Sequence, residues 1–150
     1  MEQKDEHQKS NFSYNLLTIR TRYSNGYCIR DRNLTIKIQG LHSDQGQAIF
    51  VLMDSESSHK GTTPIFSKKL IPIVQHSAEA TFPEIPAGEY SAVVYHDVNG
   101  NGELDRYFFG LPKEPYGFSN DVRNPIGFPG FDESRFKVST SESHHTITVK

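Results

Sequence analysis

The chain has 150 residues, 35% of them hydrophobic, which fits one domain with a substantial core. Sixteen basic residues against eighteen acidic ones leave a net charge of −2 with no dense basic face, excluding an electrostatic case for nucleic acid or an anionic membrane. The lone cysteine, Cys28, excludes an internal disulfide framework and a cysteine-rich zinc site, and no apolar run is long enough for membrane insertion.

Residues 1–32 are polar, charged and weakly patterned, the composition of a flexible arm, with "NLLTIRTRY" as a candidate short strand. Their start lacks the charged, apolar and small-residue succession of a secretory signal, which taken literally makes the chain cytoplasmic. The folded domain is expected over 33–150, where the apolar period becomes two. In "LTIKIQ", Leu34, Ile36 and Ile38 share one face, with Thr35, Lys37 and Gln39 on the other. "AIFVLMD" is a continuous apolar run suited to a central strand, and "SESSHKGTTP" is a polar loop. "KKLIPIV" is a weaker strand whose Pro72 favours a sheet edge. "AEATF" alternates again, "PEIPAGEY" turns the chain, and "EYSAVVYHD" is the strongest strand, rich in β-branched and aromatic residues. "RFKVS" and "HTITVK" complete about seven short strands, the pattern of an all-β antiparallel sandwich.

Residues 98–134 interrupt that pattern. The stretch is long, irregular and rich in Gly, Pro and Phe, so a folded excursion over one end of the sandwich is expected. Tyr107, Phe108, Phe109, Tyr116, Phe118, Phe128 and Phe131 read first as the private core of this loop, and second as a stacking platform for a sugar or protein.

At the head of the excursion stands "HDVNGNGELD". Asn99-Gly100 and Asn101-Gly102 are turn pairs, and one of them is expected to close a hairpin between "SAVVYHD" and "LDRYFFG". Counted from Asp97, oxygen-bearing side chains fall at Asp97, Asn99, Asn101 and Asp105, with Gly102 sixth and the Glu103 carbonyl seventh. Alternate residues of a tightly curled loop deliver converging oxygens, which is what a hard cation requires. The twelfth position is Phe108 and no helix flanks the loop, so this is not an EF-hand. A calcium loop on a β-hairpin is expected instead, of weak affinity (on the order of 10⁻⁴–10⁻³ M), with Glu114 as the closing residue and Asp121 as the second choice. An acid-base pair of His96 and Asp97 is disfavoured because neighbours on a strand face opposite ways, and His96 is expected at the core edge.

The succession "IPAGEYSAVVYHDVNGNGELDRYFFGLPKEPYGFSND", then "GFPGFDESRFKV", resembles the domain-of-unknown-function family 2141 over roughly residues 33–149. The resemblance implies a small, usually exported bacterial protein, periplasmic or extracellular, with an immunoglobulin-like or transthyretin-like β-sandwich. It supplies no catalytic residues and no cofactor. Together these readings point to a non-enzymatic module stabilised by calcium at Asp97, Asn99, Asn101, Glu103, Asp105 and Glu114. Its role would be binding or structural at the cell envelope, toward a protein or carbohydrate partner. The competing readings are a hydrolase using Asp97, Asp105 or Glu114, and a binding domain that uses the aromatic loop.

Overall fold

A computed structural model of the chain describes the backbone of residues 22–24 and 27–29, and residues 32–139 and 142–150 in full. Strands β1 (Arg22–Ser24) and β2 (Tyr27–Ile29) pair antiparallel as a small separate sheet. Most of the expected N-terminal arm, and most of its candidate strand, lie outside the described residues.

The sandwich begins at β3 (Arg32–Gln39), where Leu34, Ile36 and Ile38 are fully buried and the Thr35 hydroxyl meets that of Thr81 across the sheet at 3.1 Å. In β4 (Gln47–Met53), Ala48, Phe50 and Leu52 enter the core between the sheets, while Ile49 and Met53 are buried on the opposite face. Both faces of β4 are covered, which is why its sequence does not alternate.

One helical turn, α1 (Glu56–His59), follows inside the expected polar loop, closed by a Ser55–Ser58 capping box. It lies below the length at which periodicity signals a helix. Then come β5 (Ser67–Pro72), β6 (Ala78–Ile85) and β7 (Gly88–Asp97). The remaining elements are β8 (Tyr116–Phe118), a 3₁₀ turn (Ser119–Asp121), α2 (Phe131–Ser134), β9 (Phe136–Val138) and β10 (Glu142–Thr148).

Two sheets face each other. One has the order β10-β3-β6; the other has β5-β4-β7-β8, with β9 sharing the β8 edge of β7. Leu34, Ile36, Phe50, Phe82, Val94 and Ile147 meet between them. The molecule is thus an all-β sandwich, with β5 and its Pro72 at an edge as expected.

Two expectations need correction. The sandwich is not wholly antiparallel, because β10 runs parallel to β3, from Glu142 opposite Asn33 to Thr148 opposite Gln39. A parallel pair needs a long crossover, and here the rest of the sandwich supplies it. Nor does "LDRYFFG" return along β7. The returning strand is β8, with Tyr95 opposite Tyr116 and Val93 opposite Phe118. The Asn-Gly pairs therefore turn the head of a long loop rather than close a tight hairpin.

Candidate cation loop and adjoining cleft

Strand parity sorts the residues of β7. Tyr90, Ala92 and Val94 enter the core, and His96 shares their side. His96 is buried, and its Nε2–H donates to the Gln45 carbonyl at 2.6 Å, which makes it the expected core-edge histidine. Ser91, Val93, Tyr95 and Asp97 occupy the outer face, where the excursion covers the sheet.

Asp97 is fully buried and is the hub of the loop. Its Oδ1 accepts the backbone N–H groups of Gly100 at 2.8 Å and Asn101 at 3.1 Å. Its Oδ2 accepts the Gly102 N–H and the Gln47 side-chain amide, both at 2.8 Å. Gly102 sits at φ +83°, the left-handed conformation expected at the sixth position, which lets three successive N–H groups curl round one carboxylate. Burial alone would raise the Asp97 pKa; the Gln47 amide and the N–H groups of Gly102, Gly100 and Asn101 outweigh it and hold the group below its ordinary value.

The two asparagines complete the curl. Asn99 Oδ1 accepts the Asn101 N–H at 2.9 Å, and Asn101 Oδ1 accepts the Glu103 N–H at 2.8 Å. Their amide nitrogens donate to the two oxygens of Asp105 at 2.6 and 3.0 Å. Glu114 lies under the loop and is 8% exposed; it accepts the Val98 N–H at 3.0 Å and the Asp105 N–H at 3.1 Å. Glu114, expected as the closing calcium ligand, here ties the two ends of the loop by accepting backbone N–H groups. Glu103 is exposed, and Lys68 of β5 donates to the Gly102 carbonyl at 2.5 Å. Asp121 is elsewhere: it accepts the Thr148 N–H at 2.7 Å.

Each carboxylate oxygen accepts roughly two hydrogen bonds. Asp97 is therefore full, whereas Asp105 and Glu114 each keep acceptor capacity, as do the side-chain oxygens of Asn99 and Asn101. Among the described residues no three His, Cys, Asp or Glu side chains gather as a ready metal cluster, so a cation here would depend on amide and main-chain oxygens as well. The trio Asp97, Asp105 and Glu114 lines neither the cleft walled by Phe118, Phe128 and Phe131 nor the smaller one beside it.

Beyond the loop the aromatics divide. Tyr107 to Leu111 form a tight tip, with the Tyr107 N–H on the Leu111 carbonyl and the Gly110 N–H on the Tyr107 carbonyl, both at 2.8 Å. Tyr107 and Phe109 stack at 5.2 Å and 4°, with Phe108 100% exposed beside them. The private-core reading fails for these three. It holds for Phe118, which is buried, and for Tyr116 and Phe128, which pack edge-on at 5.2 Å.

Phe118, Phe128 and Phe131 wall a cleft of about 390 Å³ on the outer face of the sheet, with Val93, Tyr95 and Met53 as its floor. Burial, then the charges of Asp97, Glu114 and Glu103, pushes the Tyr95 hydroxyl up to about 12. His59 of α1 stands at the side. Its Nε2–H donates to the Pro129 carbonyl at 2.9 Å, and its Nδ1 lies 3.4 Å from the Ser91 hydroxyl. Ser91 in turn meets Ser134 of α2 at 2.7 Å, and both serines are fully buried. This chain latches α1 and α2 onto β7 and presents no accessible nucleophile. Sequence reasoning found neither the cleft nor Gln47, because both arise from segments that are remote along the chain.

A family model described as "Uncharacterized protein conserved in bacteria" matches residues 36–146, well over half of the chain. The chain belongs to the DUF2141 family. The match spans the sandwich from β3 into β10, so the loop, the aromatic tip and the cleft of this DUF2141 chain all fall within it. No curated protein and no solved structure matches it.

Proposed function

We propose that this DUF2141 chain is a non-enzymatic binding module of the bacterial cell envelope, in which calcium braces the loop from Asp97 to Asp105 and the aromatic tip beyond it meets a protein or carbohydrate partner. The observation that carries the reading is the tip itself. Stacked Tyr107 and Phe109, with fully exposed Phe108, form an apolar face mounted directly on an acidic loop. Exposed apolar surface of this kind marks interaction sites, and flat aromatic faces suit sugar rings and protein side chains alike. The envelope seat rests on the family resemblance.

Asp105 and Glu114 would hold the ion with the Asn99 and Asn101 oxygens and the Glu103 carbonyl, while Asp97 keeps the backbone curled. When bound, the ion supplies positive charge among carboxylates that otherwise repel one another. With a Kd of about 1 mM, about 10 mM calcium stabilises the fold by about 1.4 kcal/mol and raises Tm by about 5 °C. Calorimetry and thermal melts with calcium or chelator test this. Asp105→Asn and Glu114→Gln are expected to abolish the calcium shift. Absence of both heat and a Tm change at millimolar calcium removes calcium from the reading.

A further inference from the structure

We propose that the cleft on the outer face of the five-stranded sheet binds a small aromatic carboxylate. The cleft borders the loop through Leu104 but contains none of the residues proposed to hold calcium and none of the aromatic tip, so it stands with or without calcium.

Three observations carry it. The first is size and lining: about 390 Å³ lies within the range of small-ligand sites, and the walls are three phenylalanines. Phe118 and Phe128 are tilted by 52° at 5.5 Å, so a guest ring meets both faces and edges. An aromatic body fits such walls better than a flexible chain, which would lose more rotamer entropy on entering.

The second is charge. Arg106 stands on the rim shared by this cleft and a smaller neighbouring one, with its guanidinium 4.8 Å over the Phe128 ring. Contact with the ring positions the cation beside the cleft while its N–H donors stay available. Among the described residues Arg106 has no ion pair and no side-chain hydrogen bond. Of the other charged groups lining the cleft, Lys60 is paired with Glu56. A planar cation without a counter-ion beside an apolar cleft matches a bidentate carboxylate.

The third is the floor. The Tyr95 hydroxyl has no hydrogen-bond partner among the described residues, yet no buried polar side-chain atom there is unsatisfied. The hydroxyl therefore reaches solvent, on a residue that lines the cleft. A ligand seated against this floor is within reach of an uncommitted O–H donor. His59 competes for nothing, because both of its ring nitrogens are engaged.

The test is an amide chemical-shift titration of the full chain with 3-phenylpropionate, and with 3-phenylpropan-1-ol as its neutral counterpart. It is run once in calcium and once in chelator. The expected result is shifts centred on Val93, Tyr95 and Phe118, with the acid bound at least about tenfold more tightly than the alcohol. Arg106→Gln, at an exposed position, is expected to make the two equal, and Val93→Phe to block both by filling the floor. The proposal is overturned if neither compound shifts these amides at about 10 mM, if acid and alcohol bind equally to the native chain, or if the shifts gather on the tip. A positive result in chelator separates this site from the calcium reading, and a calcium response without cleft shifts separates them the other way.

Discussion

Asp97 shows how much structure one side chain can organise. Its carboxylate takes four hydrogen bonds, three from consecutive N–H groups and one from Gln47 on the neighbouring strand. Asp97→Asn keeps the shape but replaces an acceptor oxygen with a donor that faces N–H groups. The expected loss is about 3 kcal/mol in urea unfolding, with calcium or with chelator. The pH dependence follows from the lowered pKa. The folded chain keeps this charge to lower pH than the unfolded chain, whose carboxyl titrates near 3.8. The stabilisation is therefore present above that value and is lost as pH falls through the folded one. Urea melts from about pH 5 to about pH 2 are expected to show the native chain approaching Asp97→Asn in stability. A gap that stays constant across this range contradicts the account.

Among the elements, the excursion joins a buried half to a bare one. Phe118 is packed against His59 and Phe128, whereas Phe108 is fully exposed and meets only the edge of Phe109. Phe118→Ala is expected to cost about 3–5 kcal/mol, and Phe108→Ser less than about 0.5 kcal/mol, both read from thermal or urea melts. Sequence reasoning treated the two alike, because composition gives hydrophobicity without direction. Where alternation was regular, as in β3 and β6, the buried face could be read residue by residue. In the curl from Asp97 to Asp105 the turn at Gly102 was legible from its spacing, whereas the backbone N–H groups that Asp97 and Glu114 accept were not. Legibility ended where partners are remote: β8 is three residues long, α1 is one turn, and the pairing of β7 with "YGF" rather than "YFF" is a tertiary choice. Gln47 reaches Asp97 from across the sheet, and no local pattern announces it.

For the whole molecule, the decisive joint is where the two sheets meet at β8 and β10. A Cβ added at Gly117 would lie 2.4 Å from the Thr148 carbonyl oxygen and 2.9 Å from Ile147, so only glycine allows this approach. Arg123 also donates to the Thr148 carbonyl at 3.1 Å, and Asp121 holds the Thr148 N–H. Gly117→Ala is expected to destabilise the whole fold by about 2–3 kcal/mol as a single cooperative transition in urea. A loss confined to the excursion would show instead that the joint is local.

The parallel pairing of β3 with β10 also sets a schedule. Gln39 and Thr148, 109 positions apart in sequence, hydrogen-bond side by side. On the ribosome, the strand that opens the sandwich is made early and waits for the one that flanks it. Until residues 142–148 emerge, one edge of β3 lies bare and the core lacks Ile147 and Val149. The core of the sandwich is therefore completed only after this strand has been made, so its long-range pairing, rather than any local element, limits when the two sheets can close.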